Sequence, residues 1–119
     1  MNSTAAAPLS GAQFDALSGA MLAAIERCVD RWLQDDVIDI DAHRTGGLLE
    51  LSFPDGSKII LNTQPPLREL WLAAKSGGRH FKHQHGQWLD GRDGSEFLTV
   101  LSQCASAQGG RALVFSVAD

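Results

Sequence analysis

The chain has no apolar run approaching the roughly 20 residues that a membrane-crossing helix needs. Its first fourteen residues, MNSTAAAPLSGAQF, hold no lysine, no arginine and no apolar core. They fit neither a secretory signal nor an arginine-rich transit peptide, so a cytoplasmic protein is expected. There are only two cysteines, Cys28 and Cys104, far apart and outside any CxxC pair. Isolated thiols of this kind are expected to be buried and reduced. The sequence has no HExxH segment, no nucleophile–base–acid arrangement and no glycine loop of phosphate-binding form, so nothing in it specifies an enzyme. Basic residues are in the minority, ten against fourteen acids. That balance argues against nucleic acid, whose binding proteins carry a basic patch.

What is present is an ordinary globular composition. Hydrophobic residues make up 44% and charged residues 20% of 119 positions, a length suited to one core. A single domain over 1–119 is expected, with residues 1–10 as a flexible end. The acids are unevenly spread. Residues 1–50 carry eight acids against three bases, whereas residues 51–119 carry six against seven. An acidic first half suits cations or a basic protein surface as partners.

Ser10-Gly-Ala-Gln13 has the form of a capping box. Beyond it Phe14, Leu17, Met21, Ile25, Cys28 and Trp32 recur at steps of three and four, which predicts a helix over 11–33. From Val37 the period becomes two: Ile38, Ile40 and Ala42 alternate with Asp39, Asp41 and His43. "TGG" and "PDG" turn the chain around a second strand containing Leu49, Leu51 and Phe53, and "SKIILN" returns as a third. "TQPP" interrupts the ladder. "LRELWLAAK" suits helix or strand by composition. Short strands are expected near 79–83 and 87–90, then a second helix opened by a capping box at Asp93-Gly-Ser-Glu96. That helix should turn Phe97, Leu98, Leu101, Cys104 and Ala105 inward. "QGG" ends it, and "ALVF" is expected to pack back on the body. A helix, an antiparallel meander and a helix make a two-layer α+β sandwich with both helices on one face of the sheet.

Three groups are candidate sites. The first is an acidic ridge. Glu26 and Asp30 lie one helical turn apart, Asp35 and Asp36 follow in the turn, and Asp39 and Asp41 share a strand face about 6.6 Å apart. Exposed oxygen donors without cysteine suit hard cations, held weakly. The same residues also serve as a charged edge that resists sheet-to-sheet aggregation, and Arg27 and Arg31 are placed to pair with Asp30. The second group is His80, His83 and His85, where strand alternation puts His83 and His85 on one face. A polar hairpin accounts for them, with adventitious nickel or zinc binding. The third is Trp71. If its segment is a strand, Glu69, Trp71 and Lys75 face water and the indole is a protein-binding anchor.

"GSKIILNTQPPLRELWLAAKSGGRHF" (56–81) resembles the signature of the frataxin family in its bacterial CyaY-like branch. The resemblance lies in Asn62-x-Gln64-x-Pro66, Trp71-Leu72-Ala73 and Gly77-Gly78-x-His80-Phe81, and extends over about 25–108. It implies that "LRELWLAAK" is a strand. It also implies that the ridge Glu26, Asp30, Asp35, Asp36, Asp39 and Asp41 binds ferrous and ferric iron weakly. Asn62, Gln64 and Trp71 would contact the cysteine desulfurase and scaffold that build iron–sulfur clusters. The implied role is iron donor or iron-dependent regulator of that machinery; the alternative is a partner-binding module that needs no metal. Arg27, Arg31 and His43 stand where bacterial relatives commonly have acids, which thins the ridge and leaves His43 as a borderline ligand. A monomer is expected, with oligomers possible on metal binding.

Overall fold

The computed structural model describes residues 8–117, so most of the expected N-terminal end lies outside it. Helix α1 runs over Gly11–Gln34 and begins as its sequence dictates. The Gln13 N–H donates to the Ser10 hydroxyl at 3.1 Å, and the Ser10 N–H donates to the Gln13 side chain at 2.8 Å. The expected stripe buries Phe14, Ile25 and Cys28, joined by Leu22 and Val29. Met21 and Trp32 are half-buried, and Leu17 is exposed.

Six strands follow: β1 (Asp41–Thr45), β2 (Leu48–Ser52), β3 (Lys58–Gln64), β4 (Glu69–Ala74), β5 (Gly77–Gln84) and β6 (Gln87–Asp90). They pair antiparallel in sequence order as one meander. A single 3-10 turn, Pro65–Leu67, joins β3 to β4, where neither proline has an N–H to give a ladder. Helix α2 spans Phe97–Gly109. Both helices lie against one sheet face, on which Leu49, Leu51, Ile59, Leu61, Leu70 and Phe81 are fully buried. The two-layer α+β expectation holds, and Glu69–Ala74 is a strand. Its helix-favouring composition is outweighed by ladders on both sides, from β3 and from β5.

Two boundaries differ from the expected ones by three residues or more. The first strand starts at Asp41, not Val37. The Val37 N–H donates to the Trp32 carbonyl at 2.8 Å, and the Val37 carbonyl accepts from Arg111, so its backbone groups are engaged in loop contacts. Helix α2 starts at Phe97 with Glu96 as its cap. The Glu96 carboxylate accepts from Leu98 N–H at 2.8 Å and Thr99 N–H at 3.1 Å. Asp93 lies before the helix because Gly94, at φ 75°, leaves the right-handed region. Phe97, Leu101 and Ala105 are buried as expected, along with Val100; Leu98 and Cys104 are only half-buried.

The C-terminal tail does pack back. Leu113 and Phe115 are buried, and the Phe115 ring meets Trp32 at 4.7 Å in an edge arrangement. Cys28 is buried on α1 and donates its S–H to the Ser116 carbonyl at 3.2 Å; both cysteines are free. The buried side chain of Gln108 reaches out from α2 to two turns of the sheet. It accepts from Lys75 N–H at 3.1 Å and donates to Ser57 Oγ at 2.9 Å and to the Lys58 carbonyl at 3.2 Å. Because the tail completes the core, Phe115→Ala is expected to cost about 3–5 kcal/mol in urea unfolding. A loss below about 1 kcal/mol would show that the tail lies outside the cooperative unit.

Candidate functional site: an acidic edge and an open sheet face

The ridge is assembled from three local structures. Glu26 and Asp30 lie on α1; Asp35 is the C-cap of that helix, and Asp36 adopts a left-handed conformation at φ 61°. Asp39 is exposed just before buried Ile40, and Asp41 and His43 are exposed in β1. Register sets their face. Asp41 lies opposite Ser52 and His43 opposite Glu50, so both project from the side of the sheet that carries no helix.

Glu26 belongs to a different environment. Arg44, one position beyond His43, lies on the helix side and holds the Glu26 carboxylate at 2.8 Å, with each side chain about one-third exposed. The ion pair on this edge is therefore Glu26–Arg44, and the expected pairing of Asp30 with Arg27 or Arg31 is absent among the described residues. Adjacent positions on a strand face opposite ways, which is why Arg44 and not His43 reaches α1. Among the described residues no group of three or more His, Cys, Asp or Glu side chains is gathered closely enough to cage a metal ion. Apart from Glu26, the ridge is a set of separate, exposed carboxylates.

The sequence reading overlooked Glu50, which the hairpin brings beside His43. Its charge is already engaged. The Lys58 ammonium, hydrogen-bonded to it at 2.8 Å, holds its carboxyl below the usual range, with a smaller contribution from His43. The signal was present in the "TGG" turn, which fixes the β1–β2 register and hence the pairing.

The candidate partner residues do come together. On the open face Asn62 lies opposite Trp71, and Trp71 lies opposite His80, in one row across β3, β4 and β5. Gln64 lies opposite Glu69 in the next row. Trp71 is half-buried although no helix covers it. Its ring stacks on His80 at 4.0 Å with a 6° interplanar angle, and its indole N–H donates to Glu69 Oε1 at 2.8 Å. Lys75, expected beside them, falls in the turn after β4.

The histidines are arranged differently from the expectation. His83 lies on the helix side, with its ring 5.1 Å from that of buried Trp88. His85 occupies the β5–β6 turn at φ 52°, so the two do not share a strand face. The left-handed turn breaks the alternation on which that expectation rested.

A second charged group joins β5 to the loop before α2. Asp90, buried, accepts from Arg79 at 3.2 Å and from Arg92 N–H at 2.7 Å. Asp93 accepts from Ser95 N–H at 2.9 Å and from Arg79 at 3.1 Å. Its carboxyl is held down to about 2, first by the Ser95 N–H and hydroxyl and then by Arg79. A carboxyl shifted downward on folding stabilises the fold above its unfolded value near 4, and that stability is lost as pH falls toward 2. Asp93→Asn should therefore lower the urea midpoint near neutral pH, with a deficit that shrinks between about pH 4 and pH 2. A deficit independent of pH would show that the ionised carboxylate does not hold this loop.

Comparison with known proteins gives a consistent result. A family model described as a frataxin-like domain matches residues 7–111. An "Iron-sulfur cluster assembly protein CyaY" from Polaromonas sp. is 48% identical over 104 residues, covering 87% of this chain and 90% of that protein. A protein of the same name from Ralstonia nicotianae is 46% identical, covering 85% and 89%. Among solved structures, frataxin from Psychromonas ingrahamii superposes with a TM-score of 0.81 at 32% identity, over 91% of this chain and 99% of that one. A trimeric frataxin from the yeast Saccharomyces cerevisiae, in a ferrous complex, gives a TM-score of 0.63 at 23% identity over 89% and 91%, a likeness of fold. Among the described residues no helix is long and apolar enough to cross a membrane.

Proposed function

The chain belongs to the frataxin family, in its bacterial CyaY-like branch, and from that premise we propose that it serves iron–sulfur cluster assembly as a non-enzymatic binding protein. It would work in the cytoplasm by contacting the cysteine desulfurase and the scaffold on which clusters are built. The observation that carries this reading is the in-register row Asn62–Trp71–His80, with Gln64 beside it, on the sheet face that no helix covers. A stacked tryptophan on an open sheet face combines a large contact area with little ordering cost, the properties of a binding anchor.

Iron is the cargo or the regulatory signal in this proposal. Asp35, Asp36, Asp39 and Asp41 offer exposed oxygen donors to a hard cation, with His43 beside Asp41 and Asp30 on the adjoining helix turn. Glu26 contributes only by exchanging Arg44 for the metal, because its carboxylate is paired in the free protein. Separate carboxylates favour an ion that keeps most of its water, bound weakly and able to leave. A monomer suits this role, and an ion bridging two ridges would give metal-dependent oligomers. A metal-independent partner module is the second reading, favoured by the neutralisation of Glu26 by Arg44 and of Glu50 by Lys58.

An anaerobic ferrous titration followed by amide NMR separates the two. Broadening confined to residues 26–43 is expected, and Arg44→Ala should strengthen it while costing about 1 kcal/mol of stability or less. Uniform or absent broadening at millimolar iron would leave the metal-independent reading. Binding to the desulfurase–scaffold complex should fall at least tenfold in Trp71→Ala, the loss expected of a hot-spot tryptophan. Unchanged affinity would remove the sheet face as the contact surface.

A further inference from the structure

We propose that Glu69 is a positioning residue for Trp71, fixing the indole in its binding orientation and occupying its one hydrogen-bond donor. The inference rests on the reading of Trp71 as a partner contact. Glu69 and Trp71 are two positions apart on β4, so both project from the open face. Side chains at that spacing start about 7 Å apart and meet only if they lean together. These do: the indole N–H donates to Glu69 Oε1 at 2.8 Å, a charge-assisted bond. The Glu69 side chain is only 14% exposed, so water competes poorly for the carboxylate.

The neighbouring strand holds the arrangement from the other side. His80 Nδ1 lies 3.8 Å from Glu69 Oε1, and Lys82 Nζ lies 3.9 Å from Glu69 Oε2. The His80 ring is the surface on which the indole stacks. One carboxylate thus anchors the indole directly and its stacking partner through a longer contact. A tryptophan standing alone on a sheet would exchange between rotamers and lose that freedom on binding. Here the freedom is given up before the partner arrives. The indole has one donor, and Glu69 has taken it. The partner is therefore met by stacking or apolar contact and not by a carbonyl accepting from the indole.

The test uses full-length Glu69→Ala, Glu69→Gln and Trp71→Ala. Each is measured for affinity to purified desulfurase–scaffold complex and for the indole N–H resonance of Trp71, assigned by its loss in Trp71→Ala. Glu69→Ala should move that resonance to its water-exposed position, speed its exchange and weaken binding on the order of fivefold, the scale of one hydrogen bond. Glu69→Gln keeps an acceptor oxygen and should retain both the signal and most of the affinity. The positioning role is overturned if Glu69→Ala leaves resonance and affinity unchanged while Trp71→Ala abolishes binding. It is also overturned if Glu69→Gln loses as much as Glu69→Ala, because the partner would then be reading the charge itself. If Trp71→Ala binds normally, the contact reading falls and takes the positioning role with it.

Discussion

The constraint on which the rest depends is the commitment of one sheet face to the helices. Leu49, Leu51, Ile59, Leu61, Leu70, Leu72 and Phe81 are buried against α1 and α2, and period-two geometry sends their neighbours the other way. Asp41, His43, Asn62, Gln64, Trp71 and His80 are those neighbours or share their register. A slip of one residue in any ladder would bury the polar set and expose the apolar one, so the packing of the core also fixes the composition of the open face. The binding surface is specified by the residues it hides.

Electrostatics then divides that surface. At the β1 edge the acids are exposed and separate, and Arg44 and Lys58 engage the two glutamates nearest them. At β4 and β5 the charged groups converge on one carboxylate, Glu69, around an aromatic ring. The first arrangement suits transient association with a mobile, hydrated ion. The second suits a contact that must be made in one geometry. Two modes of binding, loose and fixed, thus share one sheet.

Much of the fold could be read from residue patterns. The α1 stripe, its capping box and the "PDG" hairpin each rest on short-range chemistry that the chain states locally. The β4 strand did not: its leucine, alanine and glutamate favour a helix, and only ladders to the strands on either side of it decide otherwise. The starts of β1 and α2 were missed for a related reason, since each depends on loop conformation at Val37 or Gly94. For the site, alternation was enough to put Trp71 on the open face, though there it is half-buried against His80 and Glu69. The Glu26–Arg44 pair was not legible, because its partners are 18 residues apart and meet only when an edge strand lies along a helix. His83 and His85 illustrate the opposite error, in which a turn residue was assigned strand geometry.

Gln108 gives the sheet a property that its ladders alone would not. Its three hydrogen bonds tie the turn between β2 and β3 and the turn between β4 and β5 to the last turns of α2. Without such a tie, a meander held on one face can open one hairpin at a time, from either end. With it, two hairpin ends are latched to the same helical side chain, and neither loosens unless α2 moves away. The row containing Trp71 lies across these hairpins, so breathing of the surface is coupled to the helix behind it. A protein that touches only the outer face would therefore register, in its own dissociation rate, how firmly a helix it never meets is seated.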